Sequence, residues 1–132
     1  MFLNMLEKKD KEVFLQLAHY IARSDSDFST KQNDIISTYC QEMQIYDIDF
    51  DSITFDLETV LQEVSNKKAQ KVILLELMAL VYSDNVLHEE EQKVIDKMLE
   101  AFNLDNNIAK LYAEWTKAIL AISKQGELLL EL

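Results

Sequence analysis

The chain has 132 residues, one glycine, one cysteine and no proline, with 13 basic against 24 acidic side chains for a net charge of −11. That length suits one domain with a real core, and so little glycine and proline excludes a fold built on hairpins and tight turns. The charge excludes a phosphate-binding surface, hence nucleic acid and anionic membranes, and leaves a basic partner, a divalent cation or plain solubility.

Leu, Glu, Lys, Gln and Ala dominate, all good helix formers, so the expected class is all-α. In chain order, Phe2 to Leu6 predicts a short N-terminal helix. Asp10 is the expected N-cap of a helix to about Ser24, with Val13, Phe14, Leu17, Ala18 and Ile21 at helical spacing. After the turn SDSDF, Ser29 and Gln32 form a capping box. The helix that follows carries Ile35, Ile36, Tyr39, Cys40 and Met43 on one face. Residues 45–56, IYDIDFDSITFD, alternate apolar and acidic; with no second strand to pair with, they predict an extended connector pinned by Ile48, Phe50, Ile53 and Phe55.

Leu57, Val60, Leu61 and Val64 mark the next helix, and Ser65 or Asn66 caps the one after it. That helix, from about Lys67 to Ser83, is apolar on nearly every side and belongs at the centre of a bundle. Its run from Val72 to Tyr82, broken by Glu76, falls short of the roughly 20 residues a bilayer span needs. Beyond the turn SDNVLH, Val94, Ile95, Met98, Leu99 and Phe102 share a face. Asp105 caps the last long helix, about residues 106–124, with Ile108, Leu111, Tyr112, Trp115, Ile119 and Ile122 expected inward. Gly126 is the expected stop. The tail at 127–132, ELLLEL, is apolar enough to dock on the body or on another subunit, which leaves a homodimer open.

A shift of 59 residues lays Ser24-Asp25 on Ser83-Asp84. It also lays Ile35, Ile36, Tyr39, Cys40 and Met43 on Val94, Ile95, Met98, Leu99 and Phe102. Upstream, Phe14, Leu15, Ala18, Ile21 and Ala22 fall on Ile73, Leu74, Leu77, Leu80 and Val81. Two amphipathic helices align at some shift by chance, but here one shift aligns the turn and both flanking helices without a gap. The expected architecture is a compact single-domain bundle of about six to seven helices. Its core is two helix–turn–helix units, about 14–45 and 73–104, related by a pseudo-twofold axis.

The second turn reads Tyr82-Ser83-Asp84-Asn85-Val86-Leu87-His88-Glu89-Glu90-Glu91, and the first Arg23-Ser24-Asp25-Ser26-Asp27-Phe28-Ser29-Thr30-Lys31-Gln32. This resembles the TerB-like domain, the helical module of tellurite-resistance proteins. Its hallmark is an apolar helix end, Ala-Asp-Gly, an aliphatic residue, a Ser/Thr-type cap and a Glu opening the next helix. Asp84 and Glu91 match the family's Asp and Glu; in the first unit Asp25 matches and Gln32 replaces the Glu. Neither unit keeps the Gly: Asn85 tolerates a left-handed conformation, Ser26 less readily. The resemblance covers roughly residues 10–122. It implies a small acidic cytoplasmic protein of stress response, with divalent metal in some members and a protein partner that can belong to a membrane-associated complex. It implies no enzymatic reaction.

Two acidic constellations are candidate sites. Asp25 and Asp84 sit where helices end, where the macrodipole disfavours negative charge. Either each accepts backbone N–H groups of its turn, or Asp25, Asp27, Asp84 and Glu91 hold a cation between the two turns. Oxygen ligands select calcium or magnesium over zinc. The connector is the second: read as an EF-hand loop from Asp47, it places Asp47, Asp49, Asp51 and Glu58 at positions 1, 3, 5 and 12. Ser52 stands where that loop wants Gly, and Ile48 and Phe50 fill positions normally left exposed, which favours an acidic connector with hydrophobic anchors.

His88 precedes three glutamates at a helix start and can cap there. No HExxH or Cys/His spacing points to zinc, and Cys40 on an apolar face reads as a buried thiol. It allows no disulfide within the chain and fits a reducing cytoplasm, and MFLNMLEKKD lacks the form of a signal peptide. The leading expectation is a non-enzymatic accessory protein that presents acidic surface to a protein partner or a cation. A dedicated calcium- or magnesium-binding module comes second, and an enzyme using paired carboxylates third.

Overall fold

The computed structural model describes residues 1–24, 30–64, 66–82 and 87–132, with only the backbone for residues 30–32. A 3₁₀ turn at Leu3–Met5 is followed by six α-helices. These are α1 (Lys8–Arg23), α2 (Thr30–Met43), α3 (Leu57–Gln62), α4 (Lys67–Val81), α5 (Glu89–Phe102) and α6 (Asn106–Leu130). Among the described residues there is no strand, so the expected all-helical class holds. No described helix is long and apolar enough to cross a membrane.

The hub is α4. Ile73, Leu74 and Leu77 are fully buried, and Ala69, Val72, Met78, Leu80 and Val81 nearly so, because apolar residues occupy almost every side of the helix. It packs against α1, α5, α6 and the 3₁₀ turn, while α1 also meets α2 and α3, and α3 meets α5. Phe14, Leu15 and Leu17 of α1, Ile36 and Met43 of α2, and Met98 and Phe102 of α5 join α4 in one continuous core. Among the positions paired by the 59-residue shift, Ile36, Cys40 and Met43 are buried as Ile95, Leu99 and Phe102 are, whereas Ile35 and Tyr39 are half-buried opposite buried Val94 and Met98.

Helix ends show the local chemistry. The Asn66 side chain accepts the Ala69 N–H at 2.8 Å and Asp105 accepts that of Asn107 at 2.7 Å, as their types predict. Asp10 does not cap α1. Glu7 occupies the N-cap, and Asp10 is buried in the first turn, where the positive end of the helix still favours a carboxylate. The expected capping residue Ser29, the side chain of Gln32, and Ser65 lie outside the described residues.

Helices α2 and α5 end alike. Gln44 (φ 57°) and Asn103 (φ 53°) are left-handed, and Ile45 and Leu104 donate back to Cys40 O at 3.2 Å and Leu99 O at 2.9 Å. This is the Schellman arrangement. Lys11 Nζ donates to Met43 O at 3.1 Å and Lys67 Nζ to Phe102 O, so a lysine from a neighbouring helix neutralises each negative end.

Three expectations fail near the chain's second half. Ile53 does not pin the connector; it is 92 % exposed. A turn at residues 52–54, held by the Ile53 N–H on Asp51 Oδ1 at 2.9 Å, breaks the alternation and turns Ile53 outward. On α6 the inward residues are Ala113 and Thr116, flanked by half-buried Ile108, Tyr112 and Ile119. Leu111 and Ile122 face out instead, and Trp115, 38 % exposed, lies at the edge with its ring 5.9 Å from that of Phe2, since small side chains let α6 lie close on α4.

Gly126 does not stop the last helix, which continues to Leu130 because the backbone there is not left-handed. A Cβ at Gly126 would meet nothing within 4 Å. Gly126→Ala is therefore expected to stabilise α6 by about 0.5–1 kcal/mol, read as higher helical ellipticity in the upper part of a thermal melt; a loss of ellipticity would contradict this account of the position.

Candidate functional site

The connector at residues 45–56 is fastened to α1 by aromatic contacts. Phe50 stacks on His19 (centroids 5.6 Å apart, planes 11° apart), and Phe55 stacks on Tyr20 at 4.6 Å. The Arg23 guanidinium lies over the Phe50 ring at 5.5 Å. Such stacking adds to burial and explains why an acidic, irregular segment keeps a fixed course.

Between this connector, α1 and α3 lies a cleft of about 350 Å³. Five carboxylates line it: Glu12 from α1, Asp49, Asp51 and Asp56 from the connector, and Glu63 just past α3. No described lysine or arginine is among its lining residues, while Phe50 and Phe55 supply ring surface. Asp56 is committed to the start of α3. It accepts both the hydroxyl and the backbone N–H of Thr59, and these bonds, the hydroxyl first, lower its pKa. The carboxylates of Glu12, Asp49 and Glu63 carry no hydrogen bond or ion pair among the described residues. Glu12 and Glu63 lie about 50 residues apart in sequence and had no periodicity to link them; only the fold brings them to the connector.

The acids singled out from the connector do not act as one group. Asp47 Oδ1 is hydrogen-bonded to His19 Nε2 at 2.8 Å and accepts the Ile48 N–H at 2.8 Å. Asp51 holds the 52–54 turn, Asp49 faces the cleft, and Glu58 stands in the first turn of α3. Among the described residues no three His, Cys, Asp or Glu side chains are placed to hold one metal ion. Of the other candidate set, Asp25, Asp27 and Asp84 lie outside the described residues. Glu91 is buried at the start of α5, where its Oε1 accepts the backbone N–H of His88 at 3.0 Å. That is the reach-back half of a capping box.

Sequence reasoning missed two further clusters. His19, nearly buried on α1, joins Asp47 beside Cys40. Burial pushes the Cys40 thiol up to about 11, and the neighbouring Asp47 pushes the same way. A thiol so held is a poor nucleophile at neutral pH. The second cluster is a carboxylate pair at the chain start. Glu76 Oε1 of α4, 6 % exposed, accepts the Phe2 N–H at 2.6 Å and lies 3.0 Å from the Met1 ammonium. Glu42 of α2 takes the same ammonium at 2.7 Å and the Leu3 N–H at 3.1 Å. Burial alone would lower the ammonium's pKa, but hydrogen bonds to Glu42 and Glu76 and their charges leave it raised. Burial, then the charges of Glu76 and Glu42, hold the nearby Tyr39 phenol well above its usual range. The signal available in the sequence was Glu76 itself, a lone acid inside an apolar helix.

With this geometry in view, known proteins add no family: no family model matches the chain, and no curated protein or solved structure matches it significantly.

Proposed function

We propose that this protein is a non-enzymatic accessory protein of TerB-like type, which docks a basic segment of a protein partner in the acidic cleft between α1, the connector and α3. The observation that carries the reading is the cleft itself. Five carboxylates line it, with no described lysine or arginine among its lining residues, a setting suited to lysine and arginine side chains through charge. Carboxylates spread along a groove suit an extended cationic chain better than one compact ion, which needs six to eight oxygens gathered at one point.

TerB-like kinship rests on the Ser-Asp turns and their spacing. The duplication it entails is supported by burial at most of the paired positions and by the matching left-handed caps at Gln44 and Asn103. A cytoplasmic site of action fits the buried thiol of Cys40.

The test is titration with a fluorescent oligo-arginine peptide. Affinity should fall by about tenfold or more in the triple variant Asp49→Asn, Asp51→Asn, Glu63→Gln, since each lost pairing charge removes on the order of 0.5–1 kcal/mol. Equal affinity in both proteins would remove the cleft from the account. Calcium or magnesium is the competing occupant of the acidic surface. A melting shift at millimolar ion, undone by chelator, would reassign that surface to the ion.

A further inference from the structure

Helix α6 is 25 residues long, about 37 Å at 1.5 Å per residue, and the bundle covers only its first half. From Ala121 onward every residue except Gly126 is exposed. The overhang is nonetheless apolar, with Ile122, Leu128 and Leu129 about 60 % exposed and Leu130 87 %. Leu111, Trp115, Ala118, Ile122, Gln125 and Leu129 follow one another at steps of four and three, the spacing of a two-helix coiled-coil seam, with Trp115 at its inner end also touching Phe2 at 5.9 Å. Leaving these leucines in water is unfavourable, which favours a covering surface.

The body offers a complement beside the first half of the same helix. An apolar cleft of about 250 Å³ lies among Phe2, Met5, Val72, Leu75 and Tyr112, and Lys68 and Lys71 stand at its edge. Those lysines open α4, whose first turn holds no acid, so they sit at the positive end of the macrodipole where cations are disfavoured. Neither forms an ion pair among the described residues. Apolar walls with two uncompensated cations match one segment of this chain: the overhang, whose leucines are bracketed by Glu127 and Glu131.

We infer that a second copy of the chain covers both surfaces. Two α6 helices run antiparallel across a twofold axis near Leu120, and each overhang lies in the other copy's Tyr112 cleft, with Glu127 and Glu131 beside Lys68 and Lys71. The register fits. Tyr112 precedes Leu120 by eight residues and Leu128 follows it by eight, about 12 Å either way, so Leu128 of one copy comes level with Tyr112 of the other. The contact is isologous and closes at two copies. Nor does charge oppose it along the helices: Lys110, Lys117 and Lys124 cancel Glu114, Glu127 and Glu131.

The decisive experiment is sedimentation of the intact chain at micromolar concentration, with a charge exchange. The wild type should run at twice 15.4 kDa. The double variants Lys68→Glu, Lys71→Glu and Glu127→Lys, Glu131→Lys should each dissociate about tenfold more readily or worse, with unchanged circular dichroism. Mixed together, the two variants should form a one-to-one dimer, since each tail then meets a cleft of opposite charge. A monomeric wild type, or a dimer indifferent to both reversals, would overturn the inference.

Discussion

Phe14→Ala is expected to lower the unfolding free energy by about 4 kcal/mol, within the usual 3–5 for a deep aromatic truncation. Phe14 is fully buried on α1, and its ring meets Tyr39 of α2 edge-on, 5.0 Å between centroids and 81° between planes. Truncation removes that pair, worth about 0.5–1.5 kcal/mol beyond burial, and opens a void among side chains already packed on every side. Since α1 also carries the aromatic contacts of the connector, the acidic cleft should loosen with the core. The check is chemical denaturation followed by circular dichroism, comparing midpoints at unchanged slope. A loss under about 1 kcal/mol would mean that the site collapses around the void and that the α1–α2 contact is softer than described.

Glu76→Ala is expected to cost about 2 kcal/mol, although it removes a charge from an apolar helix. A buried carboxylate is costly when alone, but this one accepts a main-chain N–H and faces an ammonium; deleting it strands both, and the stranded groups set the cost. Glu42→Ala should cost clearly less, because Glu42 is 28 % exposed and water replaces part of what it provides. Equal losses in the two variants would contradict this ranking. The ammonium adds a pH dependence. Its folded pKa lies above the ordinary 8.0, so its contribution is complete below about pH 8 and disappears as pH rises through the raised value. Stability measured from pH 7 to pH 10 should therefore fall in the wild type and stay flatter in Glu76→Ala.

Much of the fold was legible because three helices, α1, α2 and α5, announce their inward faces, and α4, apolar on almost every side, announces a central place. In α5 the apolar Val94, Ile95, Met98, Leu99 and Phe102 are separated from a polar remainder, and all five are buried. Helix α6 defeated the same logic because apolar residues lie around much of its circumference. Hydrophobicity ranks Leu111 and Trp115 above Ala113 and Thr116, but close approach to α4 selected the small ones. The candidate site was legible by half. Alternating acids in IYDIDFDSITFD marked the connector, and its expected apolar anchors did hold it, apart from Ile53. Which acids share a surface depended on α1 and α3 arriving from either side, and no local pattern in sequence encodes that meeting.

Residues 106–132 hold three lysines and three glutamates, so the whole net charge of −11 resides in residues 1–105. The chain therefore joins a polyanionic head to an apolar C-terminal segment of zero net charge, and the head's field keeps different molecules apart. Acidification removes that field and also protonates Glu114, Glu127 and Glu131, while the three lysines of the segment stay charged. Near the isoelectric point of about 4.5 the molecules no longer repel one another, so mild acid should precipitate this protein before it unfolds.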